Sequence, residues 1–413
     1  MQRQRANEET LRRMIEAEPV LEAIRPALEA LPGMTRNMIL TSGPALPWNS
    51  YTGGQRAGIV GAAVFESLAA DPSSAEQMLA SGEIIVDGCQ NHGCVGSLAG
   101  IYTASMPVFV VRDKTSGKIG CCNFYEGTNP RRLNYGVYDE GVRARLLYVN
   151  NIVAPVIADA VDISGGVPLK PIIRRALHMG DELHSRSTAA SLLFTRELFP
   201  HLLKLAETSS GPVDKAVKAM TEDQYFFLRL SMAAAKATAE AAHGVEGSSV
   251  VTAMCLNCRE FAIRVGGLGD KWFIGPPPTA EAKLFDGHKQ DEISWMGGES
   301  TIVETVGLGG FAQAAAFPLQ SYQGGSPEAM VKRNNEMYRI TVGEHKYFQI
   351  PALSFRGTPT GIDIFKVLET GIVPVMDMGI AGRDGGQIGA GVVKAPIGCF
   401  ELATAAYKER YGS

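Results

Sequence analysis

The hydrophobic and polar positions along the chain divide it into three blocks. In residues 8–18, Leu11, Met14 and Ile15 recur at helical spacing. Pro19 then opens a second predicted helix, with Val20, Leu21, Ile24 and Leu28 on one stripe, and Pro32-Gly33 ends it. From Met38 the pattern changes. Gly43, Gly53, Gly54, Gly58 and Gly61 break up a region of short strands and loops, and residues 57–70 read as a helix. Glu83-Ile84-Ile85-Val86 reads as a buried strand. Residues 107–112 and 118–124 flank Lys114-Thr115-Ser116-Gly117 as a predicted hairpin.

Ser164-Gly165-Gly166-Val167-Pro168 punctuates the chain. Residues 169–243 follow a helical period, divided at Thr208-Ser209-Ser210-Gly211-Pro212. Alternation returns at Ser248. Residues 249–254 and 260–265 are expected to pair, Lys271-Trp272-Phe273-Ile274 to add a third strand, and residues 338–350 to form another hairpin turning at Gly343. Short helices are expected over 327–335, 361–370 and 398–410. Strands do not alternate regularly with long helices, so the expected class is α+β. Two mixed α+β domains, residues 1–165 and 248–413, would flank a small helical domain, residues 166–247.

Composition narrows the function classes. The 413 residues suffice for two or three domains, and 45% hydrophobic content excludes a disordered chain. Lys plus Arg number 39 against 43 Asp plus Glu, a net charge of −4, which lacks the basic surplus of a nucleic-acid binder. No uninterrupted apolar run approaches the ~18 residues of a membrane span. The best stretch, residues 225–242, is broken by Arg229, Lys236 and Glu240, and the N-terminus carries no apolar signal core. Seven cysteines, an odd and sparse set, fit reduced thiols, so a cytoplasmic location is expected.

The densest polar cluster is His178-Met179-Gly180-Asp181-Glu182-Leu183-His184-Ser185-Arg186. On a helix, His178 would meet Glu182 and Asp181 would meet His184. A carboxylate beside an imidazole suits general acid–base work; the alternative is a solvated helix start. Arg186 with the hydroxyls after it suits a phosphate or carboxylate. Cys89-Gln90-Asn91-His92-Gly93-Cys94 follows a strand and offers Cys89 as a nucleophile with His92 beside it, a metal pair, or a small buried thiol. Cys255 and Cys258 form a C-x-x-C that needs a second pair to hold zinc. The Gly-rich runs at 307–310, 379–386 and 386–391, including Gln387 and Gly389, can cradle an anion on backbone N–H groups or can be tight turns. No nucleotide-binding fingerprint stands between a clear strand and helix. Asn123 and Glu126 lie at a strand end, where binding groups concentrate. Lys236 interrupts an Ala-rich helix, as an anion ligand or as a side chain reaching solvent.

An ordered set of segments resembles the YlbE/YahG-like family. It comprises Gly43-Pro44 with Trp48 and Thr52-Gly53; Cys89 with Val95-Gly96; Thr103-Ala104-Ser105-Met106-Pro107; and Cys122-Asn123 with Glu126-Gly127. It continues with Met179-Gly180-Asp181-Glu182, His184 and Arg186; Asp223-Gln224; Val251-Thr252-Ala253-Met254; Gly267-Leu268-Gly269; and Glu304-Thr305. Glu369-Thr370-Gly371, Gln387-Ile388-Gly389-Ala390-Gly391 and Cys399-Phe400 complete it. The resemblance implies a role in ureide catabolism, in the oxamate carbamoyltransferase system that interconverts oxalurate plus phosphate with oxamate plus carbamoyl phosphate. It also implies a companion FdrA-like subunit, and two α+β parts with a small helical part. The chain departs from the family pattern at Gln90-Asn91, where a His pair is usual, and in carrying Cys94.

The expected function is therefore a carbamoyltransferase subunit, with a small anionic ureide and phosphate as substrates. His184 would be the base, Asp181 or Glu182 would orient it, and Arg186, Asn123, Glu126, Ser105, His92, Gln387, Gly389 and Lys236 are the candidate binding residues. No cofactor is assigned, and a homo-oligomer is expected. Two other readings stand beside it: a ureide or cyclic-amide hydrolase using Cys89 or a metal-bound water, and a non-catalytic subunit of a complex.

Overall fold

The computed structural model describes residues 2–208, 211–222 and 225–412. The fold is mixed α+β, built on several small sheets. Ser209, Ser210, Asp223 and Gln224, quoted above, lie outside the described residues.

The largest sheet has five strands in the order Cys94–Val95, Ile119–Asn123, Pro107–Asp113, Pro19–Pro26 and Val167–Pro168. The expected hairpin over 107–124 is its centre. The segment after Pro19, expected as a helix, is instead a strand paired antiparallel with Pro107–Asp113. A bulge between Leu21 and Ala23 explains the misreading. It places the buried Leu21 and Ile24 three residues apart, a spacing that mimics one face of a helix.

The helix Leu228–Ala242 lies across strands Ile119–Asn123 and Pro107–Asp113. All of its residues but Glu240 are buried, because small side chains let its backbone sit close to the sheet. The contact is tightest at Gly120, where an added Cβ would meet Ala233 O at 2.3 Å and Ala237 N at 2.5 Å. Gly120→Ala is therefore expected to cost about 3 kcal/mol, read as a lower denaturation midpoint with unchanged slope.

The expected helical block is present as Lys170–His178, Thr188–Thr208, Val213–Glu222 and Leu228–Ala242. The continuous run Glu140–Ser164, interrupted by a π turn at Val149–Val153, is long and apolar enough to cross a membrane. Its Val153, Val156, Ile157, Ala160 and Val161 nevertheless pack into the main core.

In the C-terminal part, strands Val251–Leu256, Phe261–Val265 and Trp272–Gly275 form the expected three-stranded sheet. The hairpin expected at Gly343 is displaced. Helix Pro327–Ile340 runs on to the strand Thr341–Ile350, which pairs with Arg356–Ile362 and places Gly343 opposite Thr360. The blocks interlock through buried polar groups. Asn7 bonds Ser249 and Asp363, and Glu299 accepts from Gly43 N at 3.0 Å and Gly96 N at 2.9 Å.

Candidate functional site

The turn after helix Lys170–His178 carries the polar cluster, and it is not helical. The expected His178–Glu182 and Asp181–His184 contacts therefore do not form along a helix face. Asp181 instead accepts from Ala190 N at 2.8 Å, in the first turn of helix Thr188–Thr208. Glu182 accepts from three successive N–H groups, those of His184, Ser185 and Arg186. Leu183 sits at φ +74, in the left-handed region that non-glycine residues seldom occupy. That wrapped, strained turn fixes His184.

His184 is buried, and its Nδ1 lies 2.7 Å from Glu304 Oε1. The same oxygen accepts from Gly310 N at 2.9 Å and Asp377 N at 3.0 Å. Gly309 permits this approach, since a Cβ there would meet Glu304 Oε1 at 2.1 Å. Burial opposes a charge on His184, but the Glu304 carboxylate outweighs it and raises the imidazole pKa above its ordinary value. Behind this pair, burial and then the charge of Asp377 push the Glu182 carboxyl well above its ordinary pKa. Gln313 and Gln323 donate to Asp377.

His184 and Ser185 form one wall of a cavity of about 40 Å³. Arg132 and Arg229, both 3% exposed, line it from two other elements. Arg132 donates to Tyr125 Oη, to Gly127 O at 3.2 Å and to Gln387 Oε1 at 2.6 Å. Arg229 opens the helix Leu228–Ala242 and donates to Asn123 Oδ1 at 2.8 Å. Neither guanidinium has a carboxylate partner among the described residues, and Nε of each has no hydrogen-bond partner. Burying two cations this way is costly unless an anion arrives. Tyr125, Tyr225 and Tyr322 run along the cavity with ring centroids 5.8 and 6.0 Å apart. All three are half-buried.

Residues 84–300 match the family described as oxamate carbamoyltransferase subunit AllG. The chain is 39% identical over 409 residues to the uncharacterized protein YahG of Escherichia coli K12, covering 98% of this chain and 86% of YahG. It is 35% identical over 412 residues to the oxamate carbamoyltransferase subunit AllG of the same organism, covering 98% of each. The chain belongs to the AllG family. A crystal structure of a conserved protein of unknown function from Enterococcus faecalis V583 has the same fold, with TM-score 0.95, 36% identity and 98% of each chain covered.

In this AllG-family chain the sequence-derived candidates separate. His184 and Gln387 line the cavity, and Asn123 backs Arg229 while its Nδ2 holds Ile101 O at 2.9 Å. Glu126 works one step behind. Its carboxylate accepts from Leu133 N, Asn134 N and Asn134 Nδ2, which fixes the loop that presents Arg132. Asp181 and Glu182 shape the turn and do not line the cavity. Arg186 is spent on Gly180 O at 2.9 Å, with Asp181 3.5 Å away. Ser105 is exposed and bonded to Glu66, and His92 is clamped between Pro32 O and Asp87.

Lys236 neither reaches solvent nor meets the cavity; Gln90 and Glu240 take its ammonium at 2.6 Å each. Gly389 is not in an anion-cradling loop, because residues 387–394 form a strand in which it faces Leu284 and Ile380. The N–H groups of Gly309 and Gly310 are likewise taken, by Glu182 O and Glu304. Cys89 is fully buried, with Sγ 3.2 Å from Gly100 O, and burial raises its pKa well above the ordinary thiol value. A thiol so placed is not a ready nucleophile. Among the described residues, no three Cys, His, Asp or Glu side chains are arranged to hold a metal ion.

Sequence reading did not select Arg132, Arg229, Glu304, Asp377 or the tyrosines. One signal was available: Arg229 heads a helix that is otherwise Ala-rich and apolar.

Burial holds Asp181 and Glu299 near a pKa of about 7. The folded chain then keeps protons that the unfolded chain releases above about pH 4, so these groups stabilise the fold at low pH and lose that effect as pH rises to about 7. His243 and His345, lowered by burial, act in the opposite sense over part of this range. Paired melts isolate the carboxyl contribution. Relative to wild type, Asp181→Asn is expected to gain stability steadily as pH rises from about 4 to 7.

Proposed function

We propose that this chain is the substrate-binding and catalytic subunit of an oxamate carbamoyltransferase-type enzyme in ureide catabolism. The single observation that carries the reading is the pair of buried arginines, Arg132 and Arg229, facing one cavity without a carboxylate partner among the described residues. Two such cations beside a protonatable imidazole suit a small anion whose amide bond is to be cleaved. Family membership supports oxalurate as that anion.

In the phosphorolytic direction, a phosphate oxygen attacks the carbamoyl carbon of oxalurate. The carbonyl becomes a tetrahedral oxyanion, and the C–N bond to the oxamate nitrogen breaks as the carbonyl re-forms. The departing nitrogen needs a proton. His184 has Nδ1 fixed on Glu304, which leaves Nε2 as the ring nitrogen that can donate. Its raised pKa favours the imidazolium required of a general acid. In the reverse direction the same nitrogen takes the proton from oxamate. Arg132 and Arg229 hold the carboxylate and phosphate charges. Tyr125, Tyr225 and Tyr322 also line this cavity of about 40 Å³.

Carbon NMR of the purified chain with carbonyl-labelled oxalurate tests this reading, with and without phosphate. The expected result is a carbamoyl phosphate signal that requires phosphate and disappears in His184→Ala. If the signal requires a companion subunit but survives in the folded His184→Ala chain, the catalytic assignment fails and a non-catalytic role replaces it. Cys89→Ser is expected to leave turnover unchanged, given the burial of that thiol.

A further inference from the structure

A second recess, of about 490 Å³, lies outside the cavity described above. Helix Lys170–His178 supplies Lys170, Arg174, Arg175 and His178 to it, and strand Thr341–Ile350 supplies Tyr347. Lys346, the neighbour of Tyr347 in that strand, has its Nζ 4.8 Å from the centre of the Tyr347 ring. The recess has one acid, Glu18, and that carboxylate is bonded to Lys170 Nζ at 2.8 Å. Lys170 spends its other bonds on Ile15 O and Ala17 O.

The exposed and half-buried arginines of this chain divide into those that reach a carboxylate and those that do not. Arg12, Arg25, Arg112 and Arg356 each reach a carboxylate. Arg174 and Arg175 reach none among the described residues, and both are exposed at the recess. The carbonyls ending the helix account for a cation or two in its last turn. They do not account for Lys346, which comes from another element. A chain of net charge −4 thus sets Lys170, Arg174, Arg175 and His178 around one concavity with a single acid, Glu18.

Tyr347 does not offer a stacking face for a base, because Lys170 Nζ and Lys346 Nζ lie 4.5 and 4.8 Å from its ring centroid. Charge is therefore the means of recognition. We infer that this recess binds a small polyanion, a molecule carrying two or more adjacent phosphate or carboxylate groups. Paired guanidiniums suit the forked geometry of either group. The inference does not depend on the oxamate reading, because it uses none of the residues of the inner cavity.

Calorimetric titration of the full chain at low salt tests it, with inorganic pyrophosphate and citrate as separate titrants. At least one is expected to bind with Kd below about 1 mM. Arg174→Ala with Arg175→Ala is expected to weaken that binding by about 10–100-fold, and Arg132→Met to leave it in place. Whichever titrant binds identifies phosphate or carboxylate as the recognised group. Binding that survives the double variant but is lost in Arg132→Met would assign the anion to the inner cavity and overturn the inference. So would binding by neither titrant, or binding only of an acidic peptide such as oligoglutamate, which would mark the recess as a protein-docking surface.

Discussion

Arg229→Met and Arg132→Met are each expected to lower kcat/KM for oxalurate phosphorolysis by about 10²-fold or more, while leaving the folded chain as stable as wild type or more stable. Both guanidiniums are buried at 3% exposure, and neither meets a carboxylate among the described residues. Without substrate, Arg132 is balanced only by the tyrosine rings and the more distant Glu126 carboxylate and Arg229 by the Tyr125 ring, and a bound anion would compensate both directly. Removing one relieves the empty protein and deprives the complex. Activity and stability therefore move in opposite directions, which a damaged fold would not do. Thermal melts and kinetics on the same preparations check the pair. A lower melting temperature that tracks the loss of activity would assign both arginines to structure alone. Arg229→Met leaves one acceptor, Asn123 Oδ1, without its donor, whereas Arg132→Met leaves Tyr125 Oη, Gly127 O and Gln387 Oε1 without theirs, so Arg229→Met is the cleaner stability comparison.

Glu304→Gln is expected to lower kcat by about 10²–10⁴-fold with a smaller effect on KM. Glu304 Oε1 holds His184 Nδ1, Gly310 N and Asp377 N together. An amide preserves the shape and the two backbone bonds but removes the charge that raises the His184 pKa. The imidazolium then loses its proton at lower pH, and the limb of the pH–rate profile that requires the acid form shifts to lower pH. Raised imidazole pKa also means that this ion pair stabilises the fold below the unfolded histidine pKa, an effect lost as pH rises through the folded value. Glu304→Gln removes that dependence. Glu304→Ala is more severe, costing about 3–5 kcal/mol, because a buried cation and two N–H groups lose their acceptor. A pH–rate profile unchanged in Glu304→Gln would separate Glu304 from the proton transfer.

The local pattern determined much of the secondary structure. The hairpin over 107–124, the helical block after Lys170, the three strands of 251–275 and the helices near 327, 364 and 397 follow from local period and punctuation. Family resemblance was equally legible, because it rests on the order of many short segments, and the match over residues 84–300 bears it out.

Two elements escaped for identifiable reasons. The bulge at Leu21 disguised a strand as a helix, and Gly343 resembled a turn until the Arg356–Ile362 partner strand was known. The site was only partly legible. His184 stood out because it sits among titratable residues in sequence. Its partner Glu304 is 120 positions away, and Arg132 meets Gln387 across 255. No local period encodes such pairs. Asp181, Glu182 and Arg186 drew attention by proximity along the chain, and a non-helical turn then aimed them at backbone groups. Sequence by itself determined which elements form and to which family the chain belongs, since those depend on neighbours a few residues apart. Which charges are left without a partner depends on how distant segments pack, and the tertiary structure alone decided that.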